Sequence, residues 1–104
     1  MTRFAFCMKL YPGREAEYER RHAELWPELA VALRDAGISD YTIWLDRESG
    51  VLLALMHLSE NPSLEQLSRQ PIMRQWWQYM AELMETNDDL SPVIKELEQV
   101  FHLD

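Results

Sequence analysis

The chain has 104 residues, enough for one domain over 1–104 and not for two. Hydrophobic residues make up 47% of it, so a compact core can form and disorder is excluded as the default. The net charge of −8 repels phosphate backbones and anionic lipid heads, which argues against nucleic acid and membrane surfaces as partners and for a neutral ligand.

Residues 3–10 alternate, with Phe4, Phe6, Met8 and Leu10 against Arg3, Ala5, Cys7 and Lys9. That period of two predicts a strand, ended by Tyr11-Pro12-Gly13. Residues 14–36 have helical period. Tyr18, His22, Leu25, Trp26, Leu29, Ala32, Leu33 and Ala36 share one face; Arg14, Glu17, Arg20, Arg21, Glu24, Glu28 and Asp35 form the solvated opposite side. Gly37 sits at the expected helix C-cap. Pro27 lacks a backbone donor and clashes with the preceding turn, so a kink or break is expected near Trp26.

Residues 40–46 predict a second strand, with Tyr41, Ile43 and Leu45 on one side and Thr42 and Trp44 on the other. Residues 51–58 predict a third, apolar on nearly both faces except for His57. The short connection between them implies an antiparallel hairpin. Asn61-Pro62-Ser63 opens a short helix to about Arg69, with Pro62 in its first turn, and Pro71 opens a stronger one. Ile72, Trp76, Tyr79, Met80 and Leu83 make the inner stripe of that helix. After a loop through Pro92, residues 97–103 alternate again as a fourth strand.

The order is β-α-β-β-α-β, an α+β, ferredoxin-like domain whose long helices cover one face of a four-stranded antiparallel sheet. The other face still carries apolar side chains. It must hold a ligand or pack on a second copy, so a homodimer through the sheet faces is expected, of the dimeric α/β-barrel type. The single cysteine, Cys7, cannot pair within the chain and fits a reducing, cytoplasmic compartment. No signal peptide is legible at the start, and no apolar run approaches the roughly 20 residues that span a bilayer.

The chain has three glycines, well apart, and so no phosphate-binding loop. Its three histidines, His22, His57 and His102, lack metal-ligand spacing, so no metal site is expected. Two patterns could carry chemistry. In Tyr18-x-x-x-His22-x-x-x-Trp26-Pro27, the spacing of four stacks a phenol and an imidazole on one helix face. An imidazole titrates near neutrality, as a general acid/base requires; a half-buried His bonded to the backbone or to Tyr18 has the same pattern. In Arg74-Gln75-Trp76-Trp77-Gln78-Tyr79, adjacent indoles point about 100° apart, so one can pack while the other lines a cavity. Indole faces suit sugars; plain core and dimer packing is the other reading. Tyr41, beside Asp40, is a rim position that can donate to a ligand or simply reach toward solvent.

Taken together, the chain resembles the L-rhamnose mutarotase family over essentially all 104 residues. The resemblance rests on Tyr18-x-x-x-His22, Trp26-Pro27-Glu28-Leu29, Tyr41-Thr42-Ile43-Trp44-Leu45-Asp46, Arg74-Gln75-Trp76-Trp77-Gln78-Tyr79-Met80, Ser91-Pro92-Val93 and Val100-Phe101-His102-Leu103. One departure is Trp44, where Tyr is expected; it should point away from Tyr41. The resemblance implies a cytoplasmic homodimer that interconverts the α and β pyranose anomers of L-rhamnose. It implies His22 as proton donor, and Tyr18, Tyr41, Trp76 and Trp77 as substrate contacts. Anomer exchange moves protons and transfers no electron or group, so no cofactor is expected. Two other readings use the same fold and residues: a cofactor-free monooxygenase of the dimeric ferredoxin-like class, and a non-catalytic sugar-binding module.

Overall fold

The computed structural model describes residues 2–104. The first strand, β1, runs Thr2–Lys9 and ends at the Tyr11-Pro12-Gly13 turn. Two helices follow in place of one, α1 (Glu15–Ala23) and α2 (Pro27–Asp35). The break comes from Pro27, the first residue of α2, which holds Trp26 extended (φ −63°, ψ 128°) as the residue before a proline favours. Of the expected kink or break it is the break that occurs, and it turns Trp26 out of the helical row.

Strand β2 (Ile38–Asp46) begins two residues earlier than its alternation suggests, and β3 spans Val51–Leu58. Ser39 pairs with His57 and Thr42 with Leu55, so Asp40 and Tyr41 together oppose the single residue between those partners, Met56. This bulge reverses the parity of the strand. Ile38 and then Tyr41, Ile43 and Leu45 fall on the helix side, although 38 and 41 differ in parity. Asp40 absorbs the extra residue at φ +51°, a region that L-residues rarely occupy but that Asp tolerates better than most. Gly37, at φ +96°, joins α2 to β2; a Cβ there would lie 2.2 Å from the Ser59 hydroxyl, so only glycine fits.

Helix α3 (Leu64–Arg69) starts after Pro62, which is therefore not in its first turn as expected. Ser63 has non-helical backbone angles, and its N–H donates to the Ala36 carbonyl at 2.8 Å, tying the segment to the end of α2. Helix α4 (Pro71–Met80) opens on Pro71 as expected and runs into a short 3₁₀ turn, Ala81–Leu83. Its buried row is Met73, Trp76 and Met80, continued by Leu83. Ile72 is only partly buried, and Tyr79 keeps 37% of its surface exposed.

The sheet order is β2-β3-β1-β4 with all pairings antiparallel, the ferredoxin-like arrangement. Phe6 opposite Ala54, and Met8 opposite Leu52, floor a core closed above by Leu29, Ala32, Met73, Trp76 and Met80. Strand β4 corrects the sequence expectation: it is Lys95–Leu97, not 97–103. Leu97 pairs with Ala5, and the chain then leaves the ladder with Val100, Phe101 and Leu103 each more than three-quarters exposed. The alternation of the tail is real, but nothing within one chain covers its apolar side. No helix among the described residues is long and apolar enough to cross a membrane.

Candidate active site

All five residues singled out from the sequence line one cavity of about 830 Å³ between the helices and the sheet: Tyr18, His22, Tyr41, Trp76 and Trp77. Helix α1 supplies two of them. Tyr18 and His22, one turn apart, have ring centroids 4.3 Å apart at a tilt of 32°. The His22 Nδ1 lies 3.1 Å from the Tyr18 carbonyl. A carbonyl only accepts, so Nδ1 carries the proton, and neutral His22 presents the lone pair of Nε2. That nitrogen has no protein partner among the described residues. Burial lowers the pKa of His22 below its ordinary 6.5, partly offset by the Tyr18 carbonyl bond, which favours the charged ring.

Helix α4 supplies the wall. Trp76 stands edge-on to His22 at 5.4 Å, and Trp26 stands edge-on to Trp76 at 5.0 Å. Trp26 then stacks on Tyr79 at 5.4 Å. The proline break explains this placement, since it frees Trp26 to back the wall. Trp76 packs in the core and lines the cavity at once, while Trp77 is half-buried beside it. The β2 bulge delivers Tyr41 to the same space. Burial pushes the Tyr41 phenol up to about 12, although 37% of the residue's surface is exposed. Burial and the nearby Tyr41 raise Tyr18 further. Both phenols are neutral hydrogen-bond donors at physiological pH.

Arg21 escapes the sequence reading. Helical periodicity puts it on the solvated face of α1, yet it is 8% exposed, the only charged side chain buried among the described residues. Its position three residues after Tyr18 puts it on the margin of the buried sector, which is the one signal that could have found it. The other two histidines lie away from the cavity. His57 is on the open sheet face, 3.9 Å from an Asp40 carboxylate oxygen, and His102 in the tail accepts from Arg3 at 3.0 Å. Trp44, opposite Leu53 on the open face, points away from Tyr41 as its place in the strand predicts.

Fold and site together define a small ferredoxin-like protein with a neutral imidazole facing into a cavity lined by aromatic side chains. The sequence profile of the L-rhamnose mutarotase family matches residues 3–103. The L-rhamnose mutarotases of Acidiphilium cryptum and Burkholderia orbicola are 52% and 50% identical, over 99% and 100% of both chains. A crystal structure of the L-rhamnose mutarotase of Formosa agariphila superposes with a TM-score of 0.93 at 40% identity, over 100% of both chains. The chain belongs to the L-rhamnose mutarotase family. A putative antibiotic biosynthesis monooxygenase from Caulobacter crescentus matches at a TM-score of 0.61 and 21% identity, a likeness of fold alone.

Proposed function

We propose that this protein interconverts the α and β anomers of L-rhamnopyranose, with His22 as the group that moves the proton. The observation that carries the reading is the orientation of His22: Nδ1–H is bonded to the Tyr18 carbonyl, so Nε2 is left free in a cavity walled by Trp76 and Trp77. The anomeric hydroxyl and the ring oxygen sit on the same carbon, so one nitrogen can serve both. Neutral Nε2 takes the proton of the anomeric hydroxyl, the C1=O bond forms and the ring C1–O bond breaks. The imidazolium then donates that proton to the former ring oxygen. The open aldehyde turns about C1–C2, and closure on its other face runs the steps in reverse. Tyr18 and Tyr41, held neutral, donate hydrogen bonds to the oxygens and orient the sugar, while the indoles cover its C–H faces and the methyl group. One positioned imidazole supplies about 10²–10⁴-fold, enough for a reaction that is already fast in water.

The same reading makes the working unit a cytoplasmic homodimer joined through the sheet faces. Trp44, Leu53 and Leu97 leave 52%, 39% and 40% of their surface exposed on the open face. A second copy covers that face and gives Phe101 and Leu103 of the tail an apolar surface to meet. The lone cysteine fits the compartment.

The test is α/β exchange of equilibrated L-rhamnose followed by saturation-difference NMR, wild type beside His22→Ala. Acceleration by wild type and none by a folded His22→Ala supports the assignment. Buffer-rate exchange with wild type refutes the activity; equal acceleration by both proteins refutes the role of His22.

A further inference from the structure

Arg21 is buried on the helix that carries Tyr18 and His22, and its guanidinium is bonded on three sides. Nε donates to Glu17 at 2.6 Å, Nη1 to the backbone carbonyl of Tyr79 at 2.5 Å, and Nη2 to Glu82 at 2.5 Å. Its planar group also lies 4.1 Å from the centre of the Tyr79 ring. The Tyr79 carbonyl belongs to the last turn of α4, where helix carbonyls lack an intrahelical partner, and Glu82 sits in the 3₁₀ turn that follows. One side chain therefore pins α1 to the far end of α4.

Tyr79, thus held by its carbonyl and its ring face, stacks on Trp26, which abuts Trp76, which abuts His22. Burying a guanidinium costs stability that an apolar side chain of similar volume would not, so the fold's retention of this charge calls for another role. A rigid fork matched to a carboxylate on each side fixes an angle between two helices in a way that apolar packing does not.

We propose that Arg21 is a positioning residue for anomer exchange: it clamps α1 to the end of α4, so that the Tyr79–Trp26–Trp76 stack holds the His22 ring at its working angle. The proposal rests on the reading of His22 as the proton-transfer group. A displacement of about 1 Å at a reacting group can cost 10²-fold, so a loosened clamp shows in kcat and much less in KM.

The experiment compares Arg21→Met, Arg21→Lys and Glu82→Gln with wild type, with His22→Ala and with Arg69→Ala, which removes an exposed arginine paired with Glu65 away from the clamp. Three readouts are taken: kcat and KM for exchange, near-ultraviolet circular dichroism of the tryptophans, and the ¹⁵N spectrum of the His22 ring. Arg21→Met should fold and lose about 10- to 100-fold in kcat with KM within about twofold. Its Trp dichroism should weaken, and its Nδ1–H signal should broaden as the bond to the Tyr18 carbonyl loosens. Arg21→Lys keeps the charge without the fork and should lose less; Glu82→Gln less again; Arg69→Ala nothing. Should Arg21→Met fail to fold, Arg21→Lys and Glu82→Gln decide the matter. Wild-type kcat with an unchanged His22 spectrum in the folded variants overturns the clamp. Should His22→Ala stay active, it is the His22 role that fails, and the ring spectrum and dichroism still decide whether Arg21 sets the geometry.

Discussion

The two faces of the sheet are built from the same strands and have opposite fates. On one, Phe6, Met8, Leu52, Ala54 and Met56 lie under the helices and are each less than a tenth exposed. On the other, Trp44, Leu53 and Leu97 face outward with apolar surface uncovered. Leu52 and Leu53 are neighbours in β3, with 1% and 39% exposure. The contrast teaches that hydrophobicity here serves two tasks. The covered face makes the core and floors the cavity, while the open face leaves its apolar side chains uncovered in the single chain, which is the surface that the proposed homodimer would bury.

The sharpest way to break the comparison is at the covered face. His22→Ala should lower catalysed exchange by about 10²–10⁴-fold while leaving the dimer intact, checked by NMR exchange and sedimentation. Next, Leu52→Ala should cost about 2–5 kcal/mol in urea unfolding, as a buried leucine does. Leu53→Glu, one residue on, should leave unfolding of the isolated chain within about 0.5 kcal/mol and instead shift sedimentation from dimer to monomer. A leucine pair that behaved alike in both assays would erase the distinction between the faces.

The bulge gives a finer probe. Asp40→Gly suits φ +51° and should keep both fold and sugar affinity. Asp40→Val puts a β-branched residue in the same geometry and should cost about 1–3 kcal/mol, with a raised KM as Tyr41 leaves the cavity.

Acid separates the site from the surface. Loss of the Nε2 lone pair should switch exchange off as pH falls through the lowered pKa of His22, below 6.5. The unfolded chain takes that proton at higher pH than the folded one, so stability also declines as pH drops below 6.5. Glu17 acts lower still. The hydrogen bonds of Arg20 and Arg21 hold its carboxyl at about 2 against an ordinary 4.5, so its contribution is present above 4.5 and is lost as pH falls toward 2. Glu17→Gln should flatten acid unfolding across that lower window alone.

Much of this was legible in the residues. Alternation in β1, the nearly continuous apolar run of β3, the helical row through Tyr18 and His22, and the break at Pro27 are local signals, and the structure follows them. Tyr18 and His22 lie on that row, Tyr41 lies on β2 and Trp76 and Trp77 on α4, and the motifs that carry the family resemblance include all five. Three features escaped for distinct physical reasons. The bulge at Asp40 is marked by no glycine, so the parity change in β2 leaves no trace in composition. Arg21 looks like a solvated charge because the groups that hold it include the Tyr79 carbonyl and the Glu82 carboxylate, some sixty positions away in the chain. The tail alternates like a strand, but in one chain only Lys95–Leu97 find a partner, because no element of that chain lies against Val100, Phe101 and Leu103.

The irregularity in β2 has a consequence for crowding. β2 and β4 are the rims of the sheet, and a rim with free amide and carbonyl groups invites strand after strand to add on, the first step toward fibres. One rim carries a bend with an acidic side chain at Asp40, and the other is three residues long. The bulge that turns a tyrosine into the cavity thus also blunts an edge against endless sideways growth.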